Sequence, residues 1–214
     1  MDSYDKVLLN SDIYLAVRDF HVNSMRGCRT VLDSGAGTGN VTLELLGKGK
    51  TVHAIDPSRK ATGILRRKCA GYGPKLRTYC TSAEQLPFSD GKFDGVTSMF
   101  VVHFVDDTER YIREHYRVLS KKGTFALTGR VSGEHMEKVV RSYADSLKKR
   151  GLLPGLAREM EEMKAGILGG VSGSVKARIT AKEMAGMLEA AGFRNIEKRP
   201  NPYFGQCYSL VAKK

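Results

Sequence analysis

The chain has 214 residues, of which 41% are hydrophobic and 27% are charged. These values are typical of a globular protein and exclude a collagen-like or wholly disordered chain, while the length suits one α/β domain with an elaboration or two small domains. Lys and Arg number 35 against 23 Asp and Glu, which gives a net charge of +12. Counted in thirty-residue segments, this excess is spread along the chain, a distribution that favours solvated helix faces over a nucleic-acid interface.

The N-terminus and the cysteines favour a cytoplasmic protein. Residues 1–12 include acids and have no basic segment before an apolar run, so we expect no signal peptide. Apolar stretches such as 99–105 are too short to span a bilayer, and we expect no membrane insertion. None of the four cysteines forms a CxxC pair, which favours reduced thiols over a metal site: Cys28, Cys69, Cys80 and Cys207.

Helical and extended patterns alternate through the first 130 residues. An amphipathic helix over 10–25 comes first, and its apolar stripe includes Ile13 and Val17. Further helices are predicted over 40–47, 58–70 and 107–119. A short apolar strand is predicted to run from Thr30 into the glycines that follow. Further strands are predicted over 51–56, 75–80, 93–100 and 124–129, the last after a turn at 120–123. Such alternation predicts a parallel sheet with crossover helices on both faces.

The rhythm changes at about residue 131, where two further helices are predicted over 133–150 and 155–168. The glycine-rich stretch 166–174 is predicted to be a loop and is our candidate for a hinge or lid. Thr180 and Glu183 form a capping box that begins another helix, which ends at Ala191 and Gly192. Residues 193–199 and 206–212 then predict a closing antiparallel hairpin.

These elements predict an α/β fold: a Rossmann-like, doubly wound, mostly parallel seven-stranded sheet with an antiparallel C-terminal strand and a helical insertion. We interpret residues 1–214 as a single domain. Its parts are an N-terminal cap helix, a ligand-binding core, a helical insertion or lid, and a closing helix with a hairpin, at 1–29, 30–130, 131–179 and 180–214.

A glycine motif, Asp33-Ser34-Gly35-Ala36-Gly37-Thr38-Gly39, joins the first strand to the next helix. Glycines at such a junction let backbone approach a ligand closely, although an ordinary tight turn is the alternative. The GxGxG spacing differs from the GxGxxG of dinucleotide sites, and no GKS or GKT follows. Asp56 ends the next strand, where a carboxylate can accept both ribose hydroxyls of an adenosine ligand. Its alternative role is to cap the helix that follows Pro57.

Three stretches, VLDSGAGTGN, AIDPS and SAEQLPFSDGKFDGV, resemble the class I S-adenosylmethionine-dependent methyltransferases in residue type, order and spacing. They are particularly similar to the small-molecule branch that includes the ubiquinone/menaquinone-type, type 11-like, methyltransferases. The resemblance covers residues 30–130, and more loosely 180–214, where TAKEMAGMLEAAGFRNIE matches the last helix and strand of the family.

The resemblance implies a cofactor site for S-adenosylmethionine, with S-adenosylhomocysteine as product. Gly35, Gly37 and Gly39 would pass under the amino-acid part of the cofactor, with Asp33 helping to position it. Asp56, followed by Pro57, would bind the ribose. Ser82-Ala83 stands where the family often has Asp-Ala, so a shorter, neutral side chain faces the adenine amino group, and Glu84 is expected to be solvated. The backbone near Phe100 would face the amino-acid part of the cofactor. Tyr14, on the N-terminal helix, is a weaker candidate for a cap over the cofactor.

His103 follows the strand over 93–100 and is the best-placed titratable side chain for catalysis. A histidine there can take a proton from the methyl acceptor as a general base, and the alternative is a hydrogen-bonded structural histidine. His21 and Tyr4 are weaker candidates for a cap over the cofactor, whereas His53 and His115 are expected to be structural. The insertion offers an adaptable apolar wall, with ordinary helix packing as its alternative: Met136, Leu152, Leu153, Met160, Met163 and Ile167.

The sequence therefore predicts transfer of a methyl group to an O, N, C or S atom of a small molecule by in-line displacement. The net charge favours an anionic acceptor, and we expect a monomer or homodimer without metal. An RNA acceptor, such as tRNA, is one alternative, although Asn201-Pro202-Tyr203-Phe204 lies near the C-terminus instead of after strand 93–100. A cofactor-binding protein without turnover is another. A nicotinamide-dependent dehydrogenase is disfavoured by the glycine spacing.

Overall fold

The centre of the protein, in a computed structural model that describes residues 3–131, 136–167 and 178–214, is a seven-stranded sheet of order β3-β2-β1-β4-β5-β7-β6. Strands β1 to β5 run parallel, and β7 is antiparallel to both of its neighbours. Their bounds are β1 Thr30–Ser34, β2 Thr51–Ile55, β3 Leu76–Tyr79, β4 Phe93–Met99, β5 Leu119–Arg130, β6 Arg194–Arg199 and β7 Cys207–Lys213.

The strand order reverses between β1 and β4, which pair in register at Leu32 and Val96. Ligands of doubly wound sheets bind beyond the carboxyl ends of the strands at such a reversal. The helices that connect and cover the strands are α1 Ser3–Leu8, α2 Asp12–Ser24, α3 Asn40–Gly47, α4 Arg59–Lys68, α5 Thr108–Val118, α6 Met136–Lys149, α7 Ala157–Ala165 and α8 Ala181–Ala190.

Both faces of the sheet are buried, which explains the apolar runs in its strands. Successive side chains alternate between faces, so Leu32 belongs to the cluster under α5 and α8, and Val31 to the cluster on the opposite face. A third cluster lies away from the sheet centre. It joins α1, α2, α6 and α7 through Val7, Val17 and Met163, none of which is more than 1% exposed.

The fold predicted from the sequence is confirmed. The Thr180–Glu183 capping box is formed in both directions, and the closing strands make the expected hairpin. The turn predicted at 120–123 lies within β5 as a bulge, because Leu119 pairs with Phe93 while the next pair is Thr124 with Gly95.

Helix α1 was not predicted from the sequence. The candidate hinge at 166–174 lies outside the described residues from 168 onward. No helix in the described part of the chain is long and apolar enough to cross a membrane.

Candidate active site

The glycine loop, residues 35–39, follows β1 and returns to β2, where the amides of Gly35 and Ala36 donate to the carbonyl of Ile55 over 2.9 and 2.8 Å. Gly35 has a φ of 75°, and a Cβ there would fall 2.1 Å from Cγ2 of Val101. Gly37 has a φ of 55°, but a Cβ there would have nothing within 4 Å. The loop is therefore packed against the protein at Gly35 and open at Gly37.

Asp56 lies at the end of β2 beside this open side of the loop. Its half-buried carboxylate accepts from the amide of Gly37 over 2.9 Å and from the amide of Ser58 over 2.8 Å. Ser58, not Asp56, caps α4 by accepting from the amide of Ala61. The alternative in which Asp56 is that cap is therefore wrong. Pro57 between them is exposed.

Asp33 lies behind the loop. It is 2% exposed, and its carboxyl accepts from the Thr42 hydroxyl of α3 over 2.6 Å. Burial raises the pKa of Asp33 to about 7, although the Thr42 hydrogen bond opposes that rise. Its side chain thus joins β1 to α3 and fixes where the glycine loop enters the helix.

Ser82 and Ala83 lie in the segment that follows β3. Ala83 is buried, whereas Ser82 is exposed, with its hydroxyl 3.1 Å from a carboxylate oxygen of Glu84. The other oxygen of Glu84 accepts from the amides of Asp106 and Asp107 over 3.0 and 2.7 Å. Glu84 is half-buried, so the expectation that it is solvated holds only in part, and its carboxylate also ties the segment to the start of α5.

Phe100, which follows β4, adopts a left-handed backbone with a φ of 61°, although its amide still donates to Thr128 across the sheet over 2.9 Å. Such a conformation is uncommon for an aromatic residue and costs about 1–3 kcal/mol. This backbone conformation lets the side chains of Phe100 and Val101 point to opposite sides of the strand end. Val101 packs against Gly35, whereas the Phe100 ring turns to a cavity beside β4.

That cavity, which we call the aromatic cavity, has a volume of about 210 Å³. Its aromatic walls come from α1, α2, α6, the end of β4 and the β6–β7 connection, through Tyr4, Tyr14, Phe100, Phe104, Tyr143 and Tyr203. The Phe100 and Tyr203 rings meet edge to face with centroids 5.2 Å apart. The Tyr143 and Tyr203 hydroxyls are 2.9 Å apart, and the sequence indicated neither of them as a site residue.

The rest of the aromatic cavity is mainly aliphatic and sulfur-containing. Of the wall residues predicted in the insertion, Met136, Met163 and Ile167 line it. Leu152 does not and is 38% exposed, which makes that part of the prediction wrong. Met160 and Leu153 pack in the helical cluster behind the wall. For these two residues the alternative interpretation, ordinary packing between helices, is correct. The polar groups on the lining belong to His103 and Arg130, in addition to the tyrosines and Cys207.

His103 lies in a short turn after β4 and is 3% exposed. Burial, with a smaller contribution from the charge of Arg130, lowers the pKa of His103 to about 4. The ring is therefore neutral near pH 7. Its Nδ1 is buried and has no hydrogen-bond partner in the part of the chain that the structure describes. A buried nitrogen without a partner is rare in proteins, and a catalytic role is one of the explanations for it.

Tyr14 connects the aromatic cavity to the glycine loop. Its ring is 7% exposed and lines the cavity, while its hydroxyl accepts from the Asn40 side chain over 2.9 Å. Asn40 directly follows Gly39, the last residue of the loop. The structure thus brings Tyr14, Phe100 and His103 together at one cavity. Ser82 and Pro57 line a different part of the same edge of the sheet and do not contact it.

The remaining histidines have structural positions. His21 was a candidate for the cap, and this is wrong because its side chain points into the sheet, between the hydroxyls of Thr97 and Thr128 at 2.6 and 2.8 Å. His115 lies between a backbone carbonyl and the Ser34 hydroxyl, and His53 contacts the Tyr79 hydroxyl. All four cysteines are free. The described residues contain no group of three or more His, Cys, Asp or Glu placed to hold a metal ion.

Residues 32–127, from β1 through most of β5, match a family model described as a methyltransferase domain. Over 198 residues the chain is 28% identical to the ubiquinone/menaquinone biosynthesis C-methyltransferase UbiE of Klebsiella pneumoniae, covering 89% of this chain and 74% of the relative. The demethylmenaquinone methyltransferase of Clavibacter sepedonicus is 29% identical over 169 residues, 79% of this chain and 67% of the relative. Residues 32–127 therefore form a methyltransferase domain, and the chain is similar along most of its length to S-adenosylmethionine-dependent methyltransferases.

Solved structures of methyltransferases share the fold of this one. The 1,6-didemethyltoxoflavin-N1-methyltransferase of Burkholderia thailandensis, whose crystal structure contains 1,6-didemethyltoxoflavin and S-adenosylhomocysteine, aligns with a TM-score of 0.64 at 19% identity. The alignment covers 93% of this methyltransferase and 76% of that one. A possible histamine N-methyltransferase of Thermotoga maritima aligns with a TM-score of 0.57 at 20% identity, covering 94% and 93% of the two chains.

Proposed function

We propose that this methyltransferase transfers the methyl group to a small, largely apolar molecule bound in the aromatic cavity. One observation carries the proposal: the glycine loop and the aromatic cavity share a wall. Tyr14 lines the cavity and bonds to Asn40 at the end of the loop, and Phe100 lines it while Val101 packs against Gly35. A ligand lying along the loop and a molecule in the cavity therefore meet at the end of β4, the position that methyl transfer requires.

The residues around the loop fit the cofactor. S-adenosylmethionine supplies a methyl group activated by its sulfonium. The open side of Gly37 gives backbone access to the amino-acid part, while Gly35 and Gly39 hold the loop and Asp33 anchors it from behind. Beyond its bonds to two amides, the half-exposed Asp56 carboxylate has acceptor capacity for two ribose hydroxyls.

The remaining cofactor contacts are assigned by position along the sheet edge. Ser82 and Ala83 would meet the adenine, with Pro57 fixing the backbone beside the ribose. Tyr14 and the backbone of Phe100 would meet the amino-acid end.

The aromatic cavity selects and orients the acceptor. Its walls exclude water and favour an apolar body, and aromatic rings hold a flat molecule in few orientations. Arg130 is 8% exposed on the same lining, which supports the expected anionic group on the acceptor. The atom of the acceptor that is methylated is the one that reaches the shared wall. In-line displacement requires that atom to point at the methyl carbon, opposite the sulfur.

His103 is the proposed proton acceptor. Its buried Nδ1 lies without a partner on the lining of the cavity and, at a pKa of about 4, is unprotonated at neutral pH. Such a nitrogen is a weak base. Methylation, however, makes the proton of an attacking hydroxyl, amine or thiol far more acidic, so a weak base can accept it as the new bond forms. A carbon acceptor would lose its proton after the bond has formed.

Calorimetry with S-adenosylhomocysteine tests the cofactor site. We expect Asp56→Ala to weaken binding about 10- to 100-fold, the loss of about 1.4–2.7 kcal/mol from missing charged hydrogen bonds. Asp90→Ala is the matched control, because that exposed carboxylate pairs with Arg117 far from the loop. Equal affinities of Asp56→Ala and the unaltered protein would contradict the role assigned to Asp56.

RNA is the second candidate acceptor, and one observation favours it. Residues 48–77 contain nine Lys or Arg and one acid, Asp56. The segment boundary at residue 60 divides this group, which is why the charge looks evenly spread in the sequence. Seven of the nine cations are exposed, and among the described residues none of the seven forms an ion pair. We call this group the cationic face: Lys48, Arg59, Lys60, Arg66, Arg67, Lys75 and Arg77.

Position along the sheet favours the small molecule over RNA. The cationic face flanks edge strand β3, and β2 and β1 separate β3 from β4, where the aromatic cavity opens. This spacing is about 14 Å, since neighbouring strands lie about 4.8 Å apart. Asn201 is also committed within the protein. Its amide nitrogen donates to Ser209 and its oxygen accepts from the amide of Tyr203, which leaves little capacity to hold a base.

A pair of charge variants separates these acceptors. One variant replaces Lys60, Arg67, Lys75 and Arg77 with Ser, and the control replaces the equally exposed Lys121, Lys122, Lys148 and Lys149. With an RNA acceptor, the first variant binds a labelled RNA hairpin at least about 10-fold more weakly and with a smaller salt dependence than the control. With a small-molecule acceptor, radiolabelled methyl transfer to a metabolite extract proceeds equally in both.

The other expectations are part of the same proposal. Conversion of S-adenosylmethionine to S-adenosylhomocysteine in the presence of an acceptor distinguishes an enzyme from a protein that only binds the cofactor. Residues 1–214 as one domain, a monomer or homodimer, and a cytoplasmic location stay predictions. Size-exclusion chromatography with light scattering tests the assembly, and cell fractionation tests the location.

A further inference from the structure

Helix α1 contacts the glycine loop on one side and the aromatic cavity on the other. Its six residues are too few for a helix that is stable alone, so contacts with the rest of the protein hold it in place. Two neighbouring residues of α1 make polar contacts with different parts of the protein. Asp5 contacts the glycine loop, and Lys6 contacts α7.

Asp5 faces the glycine loop and is 1% exposed. One carboxylate oxygen accepts from the Thr38 hydroxyl over 2.6 Å and from the side-chain nitrogen of Asn40 over 2.9 Å. The other accepts from the ammonium of Lys68 over 2.7 Å, and Lys68 also donates to Asn40 over 2.7 Å. Thr38 and Asn40 flank Gly39, so Asp5 fixes both side chains at the end of the loop.

Lys6 faces α7, where its ammonium is 2.7 Å from a carboxylate oxygen of Glu159. The hydrogen bond from Lys6 lowers the pKa of Glu159. Two other residues of α1 line the aromatic cavity, Tyr4 and Leu8. Tyr4 also closes against the chain that follows α7, because a Cβ at Gly166 would fall 2.0 Å from its hydroxyl oxygen.

We propose that Asp5 and Lys6 are positioning residues that make α1 the coupling element between the two halves of the site, so that cofactor bound at the glycine loop stabilises the closed aromatic cavity. The inference rests on the cofactor site of the proposed function. Asp5 binds one arrangement of Thr38 and Asn40, and the glycine loop between Asp33 and Asn40 needs a fixed arrangement to hold the cofactor. Each event therefore favours the other, and such linkage is reciprocal.

The coupling has a direct consequence for the acceptor. With α1 in place, Tyr4 and Leu8 complete the cavity and Lys6 holds α7 against it. With α1 displaced, the cavity loses that wall and opens to water. A molecule in the cavity thus binds best after the cofactor, and the methyl group is exposed to the acceptor only when water is excluded.

Hydrogen exchange with and without S-adenosylhomocysteine tests this inference on the full chain. The reporters near α1 are the amides of Leu9, Asn10 and Ser11, which donate to Asp5, Val7 and Leu8, and those near the cavity are the amides of α7. In the unaltered protein we expect the ligand to slow exchange at both sets. Lys6→Met retains the effect at α1 and loses it at α7.

Arg150→Met is the matched control for Lys6→Met, because it also removes an ion pair, with Asp12, but one that does not involve α1. We expect this control to behave as the unaltered protein. Asp5→Asn removes the ligand effect at both sets of amides and weakens S-adenosylhomocysteine about threefold to tenfold. Thr38→Val, which deletes one bond to Asp5, gives the same pattern with a smaller change.

Calorimetry on the same samples distinguishes the two levels of the proposal. If the unaltered protein does not bind S-adenosylhomocysteine, the cofactor site itself is wrong, and the coupling is overturned with it. If it binds but the amides of α1 exchange at an unchanged rate, only the coupling is overturned. Equal protection of α7 in Lys6→Met and the unaltered protein overturns the role of Lys6.

Discussion

The proposed cofactor side and the proposed acceptor side of this methyltransferase are built in different ways. The cofactor side is centred on one short stretch, in which backbone amides and two aspartates lie within 24 residues of the sequence, from Asp33 to Asp56. The acceptor side takes its walls from five separate parts of the chain, between Tyr4 and Cys207. Local backbone geometry thus determines one half, and packing between distant side chains determines the other.

This difference predicts how each half responds to change. A loop that depends on backbone geometry tolerates almost no added atoms, whereas a packed cavity can lose atoms and still fold at a cost. Substitutions on the cofactor side should therefore abolish binding, and substitutions on the acceptor side should alter stability or selectivity while cofactor binding persists.

The largest effect is expected from Gly35→Ala. Its Cβ would fall 2.1 Å from Val101 in a left-handed backbone, and we expect a loss of about 3–5 kcal/mol in the free energy of unfolding, together with loss of cofactor binding. Denaturant unfolding and calorimetry measure the two quantities.

Gly37→Ala is the companion variant, because its φ is also positive but a Cβ there has open space around it. We expect a loss of only about 1–2 kcal/mol in stability, with cofactor binding still abolished. A Gly37→Ala protein that binds S-adenosylhomocysteine normally would contradict the placement of the cofactor along the open side of the loop.

The same difference explains what the sequence could predict. The alternation of strands and helices, the glycine loop and Asp56 were all recognisable, because residue type and short spacing determine them. Helix α1 was not, since six residues are too few to show a periodic pattern. Tyr203 lies in the β6–β7 connection and Tyr143 in the insertion, so only the packed structure brings their hydroxyls together.

On the acceptor side, Met163→Ala should give the next largest effect. Met163 is fully buried and lines the aromatic cavity, so its truncation should cost about 2–4 kcal/mol in stability and enlarge the cavity. Affinity for S-adenosylhomocysteine should change less than in Asp5→Asn, because Met163 packs in the helical cluster and reaches the glycine loop only through α1. Bulkier acceptors should gain in kcat/KM.

Met187→Ala is the control, because Met187 on α8 is only half-buried, and it should cost less in the free energy of unfolding. A larger loss of cofactor affinity in Met163→Ala than in Asp5→Asn would show that the two halves are coupled by more than α1.

Acid should destabilise the protein through histidines on both sides of the site. Burial lowers the pKa from 6.5 to about 3 for His21 and to about 4 for His53, His103 and His115. Below pH 6.5 the unfolded chain binds protons that the folded chain does not, so stability falls as the pH falls, by about 1.4 kcal/mol per pH unit for each histidine.

Asp33 opposes this trend, because its raised pKa lets the folded protein bind a proton below about pH 7. One carboxyl offsets only one of the four histidines. Urea unfolding at pH 7.5, 6 and 5 measures the net slope, and a stability that is constant or increasing toward pH 5 would contradict the neutral, buried state of these rings.

The smallest effect separates folding from function within the aromatic cavity. Because the Tyr143 and Tyr203 hydroxyls are buried and 2.9 Å apart, removing either one leaves the other without its partner. Tyr143→Phe and Tyr203→Phe should each cost about 1 kcal/mol in stability, and the double variant less than the sum. If the pair serves only the fold, kcat/KM stays near the value of the unaltered protein in all three variants. If either hydroxyl also orients the acceptor, kcat/KM falls in the variant that lacks that hydroxyl and stays low in the double variant, and the acceptor side then shares the polar precision of the cofactor side.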